Sequence, residues 1–138
     1  MGKTNLIDLS ARIEKVCATD KNKVKTKFIV GPLSARQLFT LFAKHEKGAK
    51  AFENLNAKSS QTSIAAGALL ALDFARYGLK EVKGELGKGF KLEDDYELGF
   101  ECKAVSNDYL DTLPMEISME IGGEVGTISQ AGAEEKKG

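Results

Sequence analysis

A chain of 138 residues is long enough for one domain that buries a core without disulfide or metal staples. Hydrophobic residues make up 42% and charged residues 29%, a composition that excludes wholesale disorder. Twenty basic and twenty acidic side chains cancel, so no net field holds a polyanion, and nucleic acid is not an expected partner.

The start, Met1-Gly2-Lys3-Thr4, lacks the apolar stretch of a signal peptide. The longest apolar run, around Ile64 to Leu72, is too short and too Ala-rich to span a bilayer, so the protein is expected to stay where it is made, away from membranes. Cys17 and Cys102 lie far apart with no CxxC or Cys/His cluster beside them, which suits a reducing compartment and two half-buried thiols.

In chain order, residues Thr4 to Cys17 put Leu6, Leu9, Ile13, Val16 and Cys17 on one side of a helical wheel, with Asp8, Arg12 and Lys15 opposite, and predict an amphipathic first helix. The basic run Lys21 to Lys27 alternates with Val24 and Thr26 and reads as an exposed strand edge rather than a phosphate track. Lys23 to Val30 predicts a strand stopped by Gly31-Pro32. Ser34-Ala35-Arg36-Gln37 is a capping box, and Leu38, Phe39, Leu41 and Phe42 follow at helical spacing in a helix running to about Lys47, where Gly48 supplies the stop.

Ala49 to Lys58 can hold another turn with Phe52 and Leu55 on one side, and the polar Ser59 to Ser63 stretch opens the strongest helix. That helix runs to Tyr77, with Gly78 as a left-handed C-cap. From Leu79 to Val105, scattered glycines among alternating residues predict a hairpin or irregular β-region, with Gly84, Gly87 and Gly89 as turn residues. Within it, Glu93-Asp94-Asp95 lacks calcium-loop spacing and reads as a solvated loop tip. Ser106-Asn107-Asp108 caps a short helical turn through Leu113, and a last helix follows Pro114 to about Ile128. The composite is one α+β domain over residues 1–130, mainly helical, with a small antiparallel β-element at about 23–30 and 79–105, and a flexible charged tail over 131–138.

Nothing in this order assembles catalytic machinery. The one histidine, His45, lies at the edge of an apolar helix face; no carboxylate or nucleophile converges on it in the sequence, and Glu46 points elsewhere, so a partly buried structural role is expected. P-loop, GxGxxG, GxSxG and HExxH motifs are absent. No catalytic residue, metal or cofactor is proposed, and a protein that binds other proteins is the expectation.

Two helices offer surfaces for that work. On the helix from Gln61 to Tyr77 the polar stripe of Thr62, Asp73 and Arg76 is narrow, and Leu69 falls within it, so the helix is either central or meets a partner there. On the last helix, Leu110, Leu113, Ile117, Ile121, Val125 and Ile128 make a core-facing stripe, while Met115, Met119, Gly122 and Gly126 line a second strip. Methionine adapts to irregular partners and glycine admits another backbone, so the second strip is either a docking surface or a glycine-weakened helix end. The candidate partner-binding residues are Leu69, Tyr77, Met115, Met119, Gly122 and Gly126.

The succession of a strand, Gly31-Pro32-Leu33-Ser34-Ala35-Arg36-Gln37, an apolar helix, an Ala/Leu-rich helix closed by Arg76-Tyr77-Gly78-Leu79-Lys80, then Val105 to Pro114 (VSNDYLDTLP) and a charged tail resembles the tail assembly chaperones of long-tailed, lambda-like or HK97-like bacteriophages. The resemblance covers roughly residues 23–138 and assigns no role to the Gly84 to Gly99 segment. It implies a non-enzymatic protein of the infected cell's cytoplasm that binds tape-measure and tail-tube proteins, self-associates, prevents misassembly and is absent from the finished virion. It also implies a longer frameshifted product, with which the end Glu134-Glu135-Lys136-Lys137-Gly138 is compatible. The alternative reading is a structural virion component such as a head-tail connector or tail-completion protein.

Overall fold

The computed structural model describes residues 7–46 and 61–131, with side chains described in the latter segment over residues 67–130. The expectations for Leu6, Lys47, Gly48, the turn at 49–58, the side chains of Thr62 and Ile64, and the tail fall outside what is described. The architecture is α+β: strands β1 (Ile13–Val16) and β2 (Lys27–Val30), helix α1 (Ala35–Lys44), helix α2 (Gln61–Gly78), strands β3 (Leu79–Lys83), β4 (Leu92–Asp95) and β5 (Cys102–Val105), and helices α3 (Asn107–Thr112) and α4 (Met115–Ala131). One antiparallel sheet has the order β1-β2-β3, and β4 and β5 pair as a separate antiparallel hairpin.

The predicted first helix is instead a turn followed by β1. Asp8 Oδ1 accepts from the Ser10 amide at 3.0 Å and the Ser10 hydroxyl at 2.6 Å, a local turn that competes with helix formation. From Ile13 the alternation is that of a strand: Ile13 packs against the core and Cys17 is fully buried, while Glu14 and Val16 face out. A helical wheel would also have buried Leu9, which is exposed. The deciding factor is non-local, because β2 is central and takes β1 along one side, Ile13 opposite Val30 and Val16 opposite Lys27.

The basic run is therefore not a strand edge. Residues 18–26 form a loop and Lys27 opens the central strand. Asp20, nearly buried, organises that loop: its carboxylate accepts from the amides of Asn22 at 3.0 Å and Thr26 at 2.8 Å. Those amides hold the Asp20 carboxyl below the usual carboxylate range. Thr26 in turn accepts from the Leu86 amide at 3.1 Å, tying the loop to the turn after β3.

The capping box forms as expected, with Ser34 Oγ accepting from the Gln37 amide at 3.2 Å and Gln37 Oε1 from the Ser34 amide at 2.9 Å. Leu33 and Leu38, at the positions of a hydrophobic staple around it, are both buried. The helix closes at Lys44, where His45 caps it by donating its amide to the Leu41 carbonyl. Helix α2 leads straight into β3 at Gly78. This glycine has no positive φ, so it is not a left-handed cap; a Cβ there would stand 2.4 Å from Val125 Cγ1, and its smallness lets α2 meet α4. The left-handed conformation belongs to Gly84, Gly89 and Gly99 in the β-region.

The stripe Leu110, Leu113, Ile117, Ile121, Val125 and Ile128 is buried as predicted. It joins Phe28 and Val30 of β2, Leu41 of α1, and Leu70, Phe74 and Tyr77 of α2 in one hydrophobic core. Helices α2 and α4 run in the same direction at van der Waals contact. A Cβ on Gly122 would lie 2.0 Å from the Ala71 carbonyl oxygen, and one on Gly126 would lie 3.0 Å from the Phe74 ring. Backbone against backbone has no way to yield, so Gly122→Ala is expected to destabilise the fold by about 3 kcal/mol or more. Gly123→Ala, one residue on in open space, should be neutral or stabilising by about 0.5–1 kcal/mol. Urea unfolding of the two variants beside the wild type measures the contrast.

Candidate functional site

The structure divides the six predicted partner-binding residues into two groups. Leu69, Met115 and Met119 are 54%, 65% and 40% exposed, whereas Tyr77 is buried and Gly122 and Gly126 lie against α2. The second strip of α4 is thus continuous but serves two purposes. At its glycine end it is an internal helix contact; at its methionine end it stays open. Tyr77, Gly122 and Gly126 are corrected to interior positions: the Tyr77 ring is buried with its hydroxyl bonded to Arg76 and Asp95, and the two glycines admit the Ala71 backbone and the Phe74 ring.

The three open residues line one groove of about 440 Å³. Ala68, Leu69 and Leu72 of α2 form one wall, Leu110, Asp111 and Leu113 of α3 and its C-terminal edge form the second, and Met115, Ser118 and Met119 of α4 form the third. Pro114 follows Leu113 and breaks the chain between α3 and α4, so α3 lies beside α4 as a separate short wall. Asp111 is the one charged residue of an otherwise largely apolar lining. Ser118 is 3% exposed, and its hydroxyl has no hydrogen-bond partner among the described residues. Sequence reading missed Leu72, Asp111 and Ser118, since the groove forms only when three helices converge.

The clusters of titratable groups elsewhere are structural. Arg76, at the end of α2, reaches Asp95 of β4 at 2.9 Å, Glu97 at 2.8 Å and the Tyr77 hydroxyl at 3.1 Å, and the Tyr77 hydroxyl donates to Asp95 at 2.7 Å. Asp95, expected in a solvated loop tip, is the buried anchor that fastens the β4–β5 hairpin to α2. Burial first, and then the bond to Asp95, push the Tyr77 phenol far above its ordinary range. A neutral phenol and a fully paired guanidinium–carboxylate suit an interior of low dielectric.

His45 Nε2 stands 2.6 Å from Asp73, which also accepts from Lys44 at 3.0 Å. The orienting carboxylate absent from the sequence reading of His45 is therefore present, contributed by α2 across the helix pair. This trio ties the end of α1 to α2. Among the described residues, no group of three His, Cys, Asp or Glu side chains stands close enough to hold a metal ion, and no helix is long and apolar enough to cross a membrane.

Cys17 and Cys102 are both free thiols, Cys17 fully buried and Cys102 half-buried. Comparison of the chain with family models, curated proteins and solved structures gave no match.

Two outcomes follow from these buried groups. Asp95→Ala leaves the Arg76 guanidinium without its buried counter-ion and is expected to cost about 3–5 kcal/mol in chemical denaturation, against about 1–2 kcal/mol for Tyr77→Phe, which removes the hydroxyl's bonds to Arg76 and Asp95 but keeps the ion pair. Burial pushes the Cys17 thiol up to about 11, so the fold favours its neutral form over the form the unfolded chain takes above pH 9. Its contribution to stability is complete below pH 9 and is lost as the pH rises through 11; urea midpoints between pH 8 and 11 under reducing conditions should fall less steeply for Cys17→Ala than for the wild type.

Proposed function

We propose that this chain is a non-enzymatic tail assembly chaperone of long-tailed bacteriophages, binding tape-measure and tail-tube proteins in the cytoplasm of the infected host and left out of the mature virion. The observation that supports it most is the open groove, with Leu69, Met115 and Met119 exposed on otherwise well-packed helices, in a chain whose order of features resembles that family. A chaperone must hold a client and release it, which suits a shallow apolar surface edged with methionine, whose unbranched side chain refits to irregular shapes. The two methionines lie four residues apart and so present neighbouring side chains on one face of α4.

Co-expression pull-down of the tape-measure and tail-tube proteins with the full chain tests the reading. Capture is expected with the wild type, and Met119→Asp should weaken it by about tenfold or more, as a charge is buried in the groove without a partner. Circular dichroism should show unchanged helix content, since Met119 is 40% exposed and little of the core leans on it. No capture of either protein by the wild type counts against the proposal, and loss of helix content in Met119→Asp assigns that residue to the core. A virion component such as a head-tail connector would be found by mass spectrometry of purified particles, where a chaperone is expected to be missing.

A further inference from the structure

We infer, resting on the groove as the binding surface proposed above, that the segment it takes is an amphipathic helix whose apolar stripe is flanked by lysine or arginine. The argument is one of charge. Between Val105 and Ala131 the chain carries Asp108, Asp111, Glu116, Glu120 and Glu124 and no lysine or arginine. Two of these carboxylates serve the fold: Glu120 accepts from the amides of Ala18 at 2.9 Å and Thr19 at 3.0 Å, and Glu124 pairs with Lys15 at 3.8 Å. The other three are exposed, Asp111 in the groove wall itself, Asp108 one turn before it on α3, and Glu116 beside Met115.

Helix electrostatics explain two of the three. Asp108 and Glu116 occupy the first turns of α3 and α4, where the helix N-terminus favours a negative charge. Asp111 lies in the last turn of α3, where the exposed carbonyl ends repel a carboxylate. The end of α3 does not favour an acid there, but a cationic side chain lying along the groove would. Lys44, near the α2 wall, is held by Asp73 at 3.0 Å and leaves this acidic rim uncompensated among the described residues.

The same charges exclude other occupants. Phosphate-bearing surfaces meet like charge at the rim. Two copies joined about a two-fold axis through this face would set the acidic rim of one against that of the other. What remains is a helix that inserts apolar side chains at i, i+3 or i+4, and i+7 between Leu69 and the Met115–Met119 pair, with cations toward Asp108, Asp111 and Glu116.

The test uses the full chain and two fluorescein-labelled peptides of about 18 residues, five helical turns, sharing one leucine stripe. One peptide carries lysine beside the stripe and the other glutamate at the same positions. Fluorescence anisotropy is expected to show the lysine peptide binding about tenfold or more tightly, with affinity falling as salt is raised. Asp111→Lys should erase most of that preference while leaving the melting temperature unchanged or higher, because it removes an unfavourable charge from a helix end. Met119→Asp should weaken binding of both peptides.

Equal binding of the two peptides, no binding of either, or a preference that survives Asp111→Lys together with Glu116→Lys overturns the inference. Concentration-dependent dimerisation abolished by Met119→Asp also overturns it, since a second copy is then the occupant. If the lysine peptide binds in an Asp111-dependent way but tape-measure and tail-tube proteins are not captured, the groove chemistry stands and only the assignment to phage tail assembly fails.

Discussion

Gly122 lies so close to α2 that a single methyl group there would overlap the Ala71 carbonyl oxygen. That approach sets the spacing of the two longest helices, and most of the molecule is arranged around it. Gly126 admits the Phe74 ring and Gly78 admits Val125, so three small residues, two on α4 and one on α2, turn the pair into a contact of backbone with side chain and backbone with backbone. The cost is the intrinsic one of glycine within a helix, about 1 kcal/mol each, offset by burial of Ile117, Ile121, Val125 and Ile128 that the close approach permits.

Helix α4 also anchors the non-helical parts. Glu120 receives the amides at the start of the β1–β2 loop. Ser129 accepts from the Leu33 amide at 2.7 Å just before α1 and donates to the Val125 carbonyl at 2.6 Å. The Glu120 bonds and the Leu33–Ser129 bond each span about a hundred positions of sequence, so none of them forms until the β-sheet side of the chain and α4 have met. The hairpin β4–β5 is held by a second device, the buried Arg76–Asp95 pair, whose charges are tolerable inside because Tyr77 and Glu97 take up the remaining bonding positions.

These non-local ties mark the boundary of what the sequence discloses. Elements specified by neighbouring residues are legible: the capping box at Ser34, the core stripe of α4, the turn glycines Gly84 and Gly89, the Ser106 cap, and the exposure of Leu69. Elements specified by a distant partner are not. The segment ending at Cys17 has a fair helical wheel and became a strand because β2 needed a neighbour. Asp95 looks solvated until Arg76 is seen 19 positions away in sequence and 2.9 Å away in space. Of the candidate site, the methionine strip was readable from helical periodicity, but its glycine half could equally have faced a partner, and only the position of Ala71 decides that it does not.

The groove follows from the same strip. Helices α2 and α4 run parallel, and along α4 toward its start the small residues give way from Gly126 and Gly122 to Met119 and Met115. Two backbones that touch at glycine cannot stay in contact where methionine side chains intervene, so the helix pair opens in the direction of Met115. Filling that opening with the chain's own apolar side chains is what a sequence selected only for stability would do. Here the remaining wall is a six-residue helix, α3, ended by Leu113 and Pro114, which leaves the methionines exposed and puts Asp111 in the groove lining. A stability-only account explains the glycine half of the strip and fails for the methionine half, where an exposed apolar wall and an acid at the wrong end of a helix occur within one groove. Each of the two is unfavourable in the isolated chain and would become favourable with a cationic, apolar-striped helix lying between them, as inferred above.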